Sequence, residues 1–244
     1  MSFSIIVPSF NQAKYLPETL DSILTQSELL ECLVYDADST DGSKDILKKY
    51  AKQYPKLWYQ SKKDGGQVFA INQGLKKSKG EFVAYLNSDD YYLPGVFVQV
   101  KKYFDTHPNC HWLVGDCEVT QRNLRWTFLI KKFLPLPIFN SINQPSVFLR
   151  RDFVKKVGYF NTKYRYAFDY DYWLRCSELS KPHRLNIITS VFRIHGNSKG
   201  NTNFAKQFDE DLSVVNSHYN NKLITHLHFI ISKITILTYK FLKK

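Results

Sequence analysis

A single α/β domain with a mainly parallel central sheet is the fold class this sequence predicts, and three observations carry it. Short apolar runs alternate with amphipathic segments of helical length through the first half of the chain, the pattern of strand–helix–strand units. Those runs end in polar, carboxylate-rich turns, where open α/β sheets place ligand crevices. With 244 residues, 43% of them hydrophobic, the chain is long enough for one packed core and a small appendage.

Ser4 to Val7 reads as the first strand, broken by Pro8-Ser9-Phe10-Asn11. Leu16 to Gln26 has helical spacing, with Leu16, Leu20, Ile23 and Leu24 on one side. Cys32-Leu33-Val34-Tyr35 is a second strand, ending at Asp36-Ala37-Asp38-Ser39-Thr40-Asp41-Gly42. A helix over Ser43–Gln53, a short strand at Leu57-Trp58-Tyr59 and a helix over 67–78 lead to the strand Phe82–Leu86. That strand empties into Asn87-Ser88-Asp89-Asp90; a helix follows Pro94, and His111–Gly115 is a further strand. Beyond Gln121 the pattern is irregular, with Pro135, Pro137 and Pro145 punctuating an aromatic-rich stretch suited to cover a substrate. Helical spacing returns over 169–178, and Tyr219–Lys244 reads as a terminal helix. The expected division is a domain over 1–211 and a basic helical extension over 212–244.

The net charge of +12 implies attraction to something anionic, whether nucleic acid, anionic lipid or nucleotide phosphate. No helix-turn-helix, zinc-finger or RNA-binding motif stands out, so nucleic acid is not expected as a partner. Cys32, Cys110, Cys117 and Cys176 form no CxxC pair, which argues against a zinc site and a disulfide scaffold and for reduced thiols in a cytosolic protein. The first residues lack the basic start of a signal peptide, and no run of 18 apolar residues exists to form a spanning helix.

Asp89 and Asp90 are the sharpest chemical signal. Adjacent carboxylates repel unless a cation lies beside them, and hard oxygen ligands at a strand end suit Mg²⁺ or Mn²⁺ carrying a phosphate-bearing substrate. The same residues also suit a plain polar turn. A nucleotidyltransferase would share this layout, but it would place a glycine- and basic-rich phosphate loop after the first strand, where this chain has Pro8-Ser9-Phe10-Asn11.

An ordered set of motifs resolves the choice. Ile5-Ile6-Val7-Pro8-Ser9-Phe10-Asn11, Asp38-Ser39-Thr40-Asp41-Gly42-Ser43, Gly66-Gln67 through Gly74, and Leu86-Asn87-Ser88-Asp89-Asp90 come first. Asn143-Gln144-Pro145-Ser146, Phe168-Asp169-Tyr170-Asp171-Tyr172-Trp173 and Arg193-Ile194-His195-Gly196-Asn197-Ser198 follow. With these residues the chain resembles family 2 glycosyltransferases of the GT-A fold, particularly bacterial enzymes that build cell-surface polysaccharide.

The resemblance implies inverting transfer of a sugar from a nucleotide-diphosphate donor, UDP-linked by preference, to an acceptor hydroxyl on a saccharide or a polyprenyl-diphosphate-linked saccharide. It implies donor contacts from Pro8, Ser9, Phe10, Asn11, Asp36, Asp38, Gln67, Asn72, Asn87, Ser88 and Asp89. Asp89, Asp90 and His195 are the implied holders of a divalent metal, Mn²⁺ or Mg²⁺. Asp169 is the implied general base, taking the proton of the attacking hydroxyl. Two departures stand out: Asn87 where many relatives have an acid, and Phe168 where many have Glu. A catalytically inactive relative, binding nucleotide or a membrane surface, is the alternative they leave.

The tail adds a partner. No acid follows Asp211. At about 100° per residue, Leu223, Leu227, Ile230, Ile231, Ile234, Leu237 and Phe241 share one broad face, edged by Lys222, Lys233, Lys240 and Lys244. That pattern suits a helix lying on an anionic membrane surface, the inner face of the cytoplasmic membrane; packing on the domain or on a second subunit is the other reading.

Overall fold

The computed structural model describes residues 2–121, 124–127, 135–196 and 204–242. Strand β1 (Phe3–Ser9) is buried along its whole length, as a strand covered on both faces must be. Its side chains divide by the period of two: Ile5 and Val7 join one apolar layer, Ile6 the other. Strand β2 (Leu29–Asp36) and strand β4 (Phe82–Tyr85) flank β1, and strand β3 (Leu57–Ser61) extends the sheet, all parallel. Helices α1 (Leu16–Leu24), α2 (Ser43–Gln53) and α4 (Val96–Thr106) cover one face, and α3 (Gln67–Lys77) the other.

Beyond β4 the sheet becomes mixed. Strands β5 (Tyr91–Tyr92), β6 (Trp112–Gln121), β7 (Leu124–Thr127), β8 (Val147–Arg150) and β9 (His183–Ile194) complete the order β3-β2-β1-β4-β8-β6-β9-β5, with β7 beside β6. β8 is antiparallel to both β4 and β6, β9 is parallel to β6, and β5 is antiparallel to β9. This mixed half brings the end of β9 across to the end of β4. Helix α5 (Arg151–Val157), helix α6 (Phe168–Leu179) and helix α7 (Phe204–His218) join α3 on its face, and helix α8 (Lys222–Leu242) packs outside them.

Several boundaries differ from those the sequence suggests, each for a local reason. α1 stops at Leu24 because Gln26 turns inward as a bridge. Its amide nitrogen donates to the carbonyls of Ser22 (3.1 Å) and Leu93 (2.9 Å), and its oxygen accepts from the Phe97 N–H. β8, β9, α5 and α7 were not foreseen. The terminal helix begins at Lys222, not Tyr219, since Asn221 Oδ1 accepts the Leu223 N–H at 2.9 Å and caps the new helix. α7 runs unbroken through the expected division at residues 211 and 212, and its Val214 and Val215 belong to the core.

Close approach of α3 to the sheet is fixed by Gly74. A Cβ there would sit 2.5 Å from two carbons of Ile6, so only glycine lets the helix lie this near β1. Its first residue, Gln67, is thereby held above the strand ends.

Candidate active site

The carboxyl ends of β1, β2 and β4, with the N-terminus of α3 and the end of β9, meet in the position of the ligand crevice of open α/β sheets. Phe10, just past β1, is 58% exposed and offers a bare aromatic face. Asn11, at φ 51°, ties this turn to the next: its N–H donates to Ser39 Oγ (2.8 Å) and its Oδ1 accepts the Thr40 N–H (2.9 Å). Asp41 adds a bond from the Ala13 N–H at 2.8 Å and another from the Ser43 hydroxyl. Pro8 and Ser9 are buried at the strand end.

The two carboxylates closing β2 differ in placement. Asp36 is buried, and its oxygens accept from the Ser39 N–H, the Ser39 hydroxyl and the Ser61 hydroxyl, so it builds the loop. Asp38 is exposed, at φ 64°, and ion-paired with Lys44, whose hydrogen bond holds its carboxyl below the usual range. Asn72, expected to contact the donor, is instead buried, with both amide atoms on the Phe160 backbone (2.8 and 2.9 Å). Its task is to tie α3 to the loop before α6.

At the end of β4, Asp89 and Asp90 part company. Asp89 Oδ2 lies 2.9 Å from His195 Nε2, both side chains being only slightly exposed. The His195 ring packs on Tyr15 at 4.5 Å between centroids. Asp90 is fully buried; its Oδ1 accepts the Arg193 N–H at 2.9 Å, while its carbonyl accepts the Thr19 hydroxyl at 2.7 Å. Burial, and next the charge of Asp89, push the Asp90 carboxyl well above the usual range. Asp90 therefore anchors the loop, whereas Asp89 stands beside His195. Among the described residues no group of three His, Cys, Asp or Glu side chains is arranged to hold a metal ion. A carboxylate and an imidazole fit a divalent ion that takes its remaining ligands from phosphate and water.

Asn87 heads a chain of amides. Gln67 Nε2 donates to its Oδ1 (2.7 Å), its Nδ2 donates to Gln144 Oε1 (3.2 Å), and Gln144 Nε2 donates to the Tyr85 carbonyl (2.7 Å). A carboxylate at 87 has no hydrogen to give Gln144, which accounts locally for the amide. Ser88 is buried beside it, its carbonyl accepting from Thr19. Gln144 and Tyr15 were absent from the site expected from sequence; Gln144 stood inside a quoted motif, whereas no local pattern flags Tyr15.

Asp169 occupies the first turn of α6, half-buried, with its Oδ1 accepting the Tyr170 N–H at 2.8 Å. Burial, then the Asp169 and Asp90 charges, raise the Tyr85 hydroxyl well above its ordinary range. Phe168 is core: its ring meets Phe160 at 5.8 Å and Tyr85 at 6.3 Å. Arg193 pairs with Glu18 at 2.6 Å and lies over the Tyr91 and Tyr15 rings. Asn197, Ser198 and Lys199, and much of the stretch between Gln121 and Pro145, lie outside the described residues.

Helix α8 is mounted with its apolar face outward. Leu223, Leu227, Ile230, Ile234 and Leu237 are exposed, Leu223 and Leu237 to 66%, and so is Phe229. The side turned to the domain carries His228, whose Nδ1 donates to the Ile138 carbonyl at 2.8 Å and whose ring stacks on Tyr170. The side chain of Phe241 lies outside the described residues. No helix among the described residues is long and apolar enough to cross a membrane.

Known proteins share this architecture. The N-terminal region of TarS from S. aureus, residues 1–349 in complex with UDP-GlcNAc, superposes with a TM-score of 0.67 at 21% identity, over 92% of this chain and 69% of that one. The mannosyltransferase PcManGT from Pyrobaculum calidifontis, in complex with GDP-Man and Mn²⁺, gives 0.68 at 18% identity, over 92% and 68%. The fold is thus GT-A. In sequence, the minor teichoic acid biosynthesis protein GgaB of Bacillus subtilis is 38% identical over 111 residues, 44% of this chain and 12% of GgaB. A PGL/p-HBAD biosynthesis glycosyltransferase of Mycobacterium bovis is 30% identical over 179 residues, 71% of this chain and 69% of that protein. The chain thus spans a small part of GgaB and about two thirds of the mycobacterial relative. Residues 4–160 match the model described as glycosyl transferase family 2, and the chain belongs to that family.

Proposed function

We propose that this chain is an inverting glycosyltransferase that moves a sugar from a nucleotide-diphosphate donor, UDP-linked by preference, to a hydroxyl of a lipid-linked saccharide in surface-polysaccharide assembly. The pairing of Asp89 with His195 at the end of β4, within a family 2 chain, carries the reading. Asp89 and His195 would hold Mn²⁺ or Mg²⁺, which supplies charge neutralisation on the departing diphosphate. Phe10 offers its exposed face to the nucleobase, and Asn11 and Asp38 line the ribose side. Gln67 and Asn87 present amide groups toward the sugar and diphosphate. Asp169, across the β4 end, takes the acceptor proton as the hydroxyl attacks the anomeric carbon from the face opposite the leaving group.

The acceptor's lipid fits the outward face of α8. Exposed Leu223, Leu227, Ile230, Ile234 and Leu237, with exposed Lys222 and Lys233 and no acid after Asp211, suit an anionic bilayer at the inner face of the cytoplasmic membrane. α8 also meets Tyr170, the residue after Asp169, so a docked helix would hold the acceptor side of the crevice toward the lipid.

Calorimetric titration with UDP-GlcNAc, GDP-mannose and a dTDP-sugar, with and without Mn²⁺, tests the reading. Metal-dependent binding of one donor, abolished in Asp89→Ala, is the expected result. A folded chain that binds none of them refutes it.

A further inference from the structure

Helix α7 reaches back to the helix that carries the candidate base. Glu210 Oε2 accepts three consecutive backbone N–H groups, those of Arg165 (2.9 Å), Tyr166 (2.6 Å) and Ala167 (3.0 Å). Ala167 is the cap residue of α6, and Asp169 is the second residue of that helix. Three N–H dipoles converging on one carboxylate oxygen form an anion nest, and charge-assisted bonds of this kind are both stronger and more directional than neutral ones. The contact spans 43 to 45 residues of sequence, so the clamp is supplied by tertiary structure and not by the turn.

We propose that Glu210 is a positioning residue for catalysis: its carboxylate fixes the entry of α6 and thereby the reach of Asp169 into the crevice. The inference rests on Asp169 being the general base. Asp169 spends one oxygen on the N–H of Tyr170 within its own first turn. That turn follows directly from the 165–167 backbone that Glu210 holds. The same helix grips α6 further along, where His218 meets Asp171 (3.1 Å) and Glu178 (3.0 Å), and Ser217 meets the buried Tyr164. α7 is therefore a brace for α6, and Glu210 is its contact at the helix entry, ending two residues before the base.

The test compares Glu210→Ala and Glu210→Gln in the full chain. Glu210→Ala is expected to bind UDP-GlcNAc or GDP-mannose with Mn²⁺ as the parent does, and to lose about 10²-fold in kcat, the scale of a 1 Å misplacement. Glu210→Gln keeps a side-chain oxygen at the same reach and is expected to recover most of that loss. Wild-type kcat in the alanine variant overturns the proposal, and so does an unrescued loss in the glutamine variant. Amide hydrogen exchange of the parent chain reads the clamp without turnover, and decides the matter if the alanine variant does not fold. Protection at Arg165, Tyr166 and Ala167 is expected, and free exchange there overturns the proposal. A parent chain that binds no donor removes the base Glu210 would position and overturns the proposal by that route; exchange protection tells this failure from failure of the clamp.

Discussion

His195 Nε2 stands 2.9 Å from Asp89 Oδ2, joining positions 106 residues apart at the mouth of the crevice. The contact exists because β5, which directly follows Asp90, pairs antiparallel with β9 and so sets the end of β9 beside the loop after β4. On the function proposed above, this carboxylate and this imidazole share the divalent ion. His195→Ala is expected to weaken Mn²⁺-dependent donor binding, and Asp89→Ala to abolish it, with a loss in kcat of about 10³-fold, since metal stabilisation of developing charge is worth several kcal/mol. Titration of the donor at varied Mn²⁺ measures this. Unchanged metal dependence in His195→Ala would remove the histidine from the site.

The amide at 87 makes a second prediction. Asn87 donates to Gln144 and accepts from Gln67, beside the buried Asp90. Asn87→Asp deprives Gln144 Oε1 of its donor and adds a charge next to Asp90. A cost of about 1–3 kcal/mol at neutral pH follows for an unsatisfied buried acceptor. The introduced carboxyl would have its pKa raised, so its charged form is disfavoured in the folded state. The deficit therefore grows as the pH rises through the ordinary carboxyl range and narrows toward acid. Thermal unfolding of both chains across pH would show a constant difference if this reasoning fails.

How much of this was legible beforehand depends on the distance over which each feature is encoded. The parallel half, from β1 to α4, was readable because each element carries its own periodicity and ends in its own turn residues; Ser43–Gln53 was predicted to the residue. β8 and β9 were not, because β9 mixes half-exposed and buried positions and owes its existence to pairing with β6 and β5. Among the candidate residues, motif order points to Asp89, Asp90 and His195 together and to Asp169. It could not separate Asp89 from its neighbour Asp90, since only the fold buries one and leaves the other at the crevice. The structural tie of Asn72 is hidden for a similar reason: its partner, the Phe160 backbone, lies 88 residues away. Glu210 carried no local signal at all.

The brace between α6 and α7 makes stability depend on pH. Hydrogen bonding to Asp171, against the opposing effect of burial and with help from Glu178, raises the His218 pKa above its ordinary value of 6.5. Burial works to raise Asp171, but His218 and Arg175 outweigh it and hold its carboxyl below 3.8. A raised histidine contributes stability that is full below 6.5 and lost as the pH rises through its folded pKa. A lowered carboxyl contributes stability present above 3.8 and lost as the pH falls through its own folded value. The pair thus stabilises most between those two limits. His218→Gln is expected to lower the unfolding temperature at about pH 5.5 and to matter much less at about pH 9. An equal drop at both would show that the ring serves by packing alone.

Helix α8 supplies the last prediction. Its buried side carries His228 and Ser232, while Leu223, Ile234 and Leu237 face outward, the reverse of a helix that stabilises a domain by burying its apolar stripe. Burial lowers the His228 pKa, and its contacts to Ile138 and Tyr170 keep the helix seated in this orientation. Exposed leucines on a lysine-edged helix favour transfer to a bilayer interface, each fully buried aliphatic side chain being worth about 1.5–3 kcal/mol. Replacing Leu223, Ile234 and Leu237 together by serine is therefore expected to cut binding to phosphatidylglycerol-containing vesicles by about 10²-fold or more. Donor binding should be untouched, because none of the three lines the crevice. Binding by the parent chain should weaken as salt rises, since lysines meet anionic headgroups. Vesicle sedimentation and size-exclusion chromatography of parent and triple variant decide the matter. If the parent ignores vesicles but forms a dimer that the triple variant dissolves, a second copy of the chain covers this face and the membrane reading is lost.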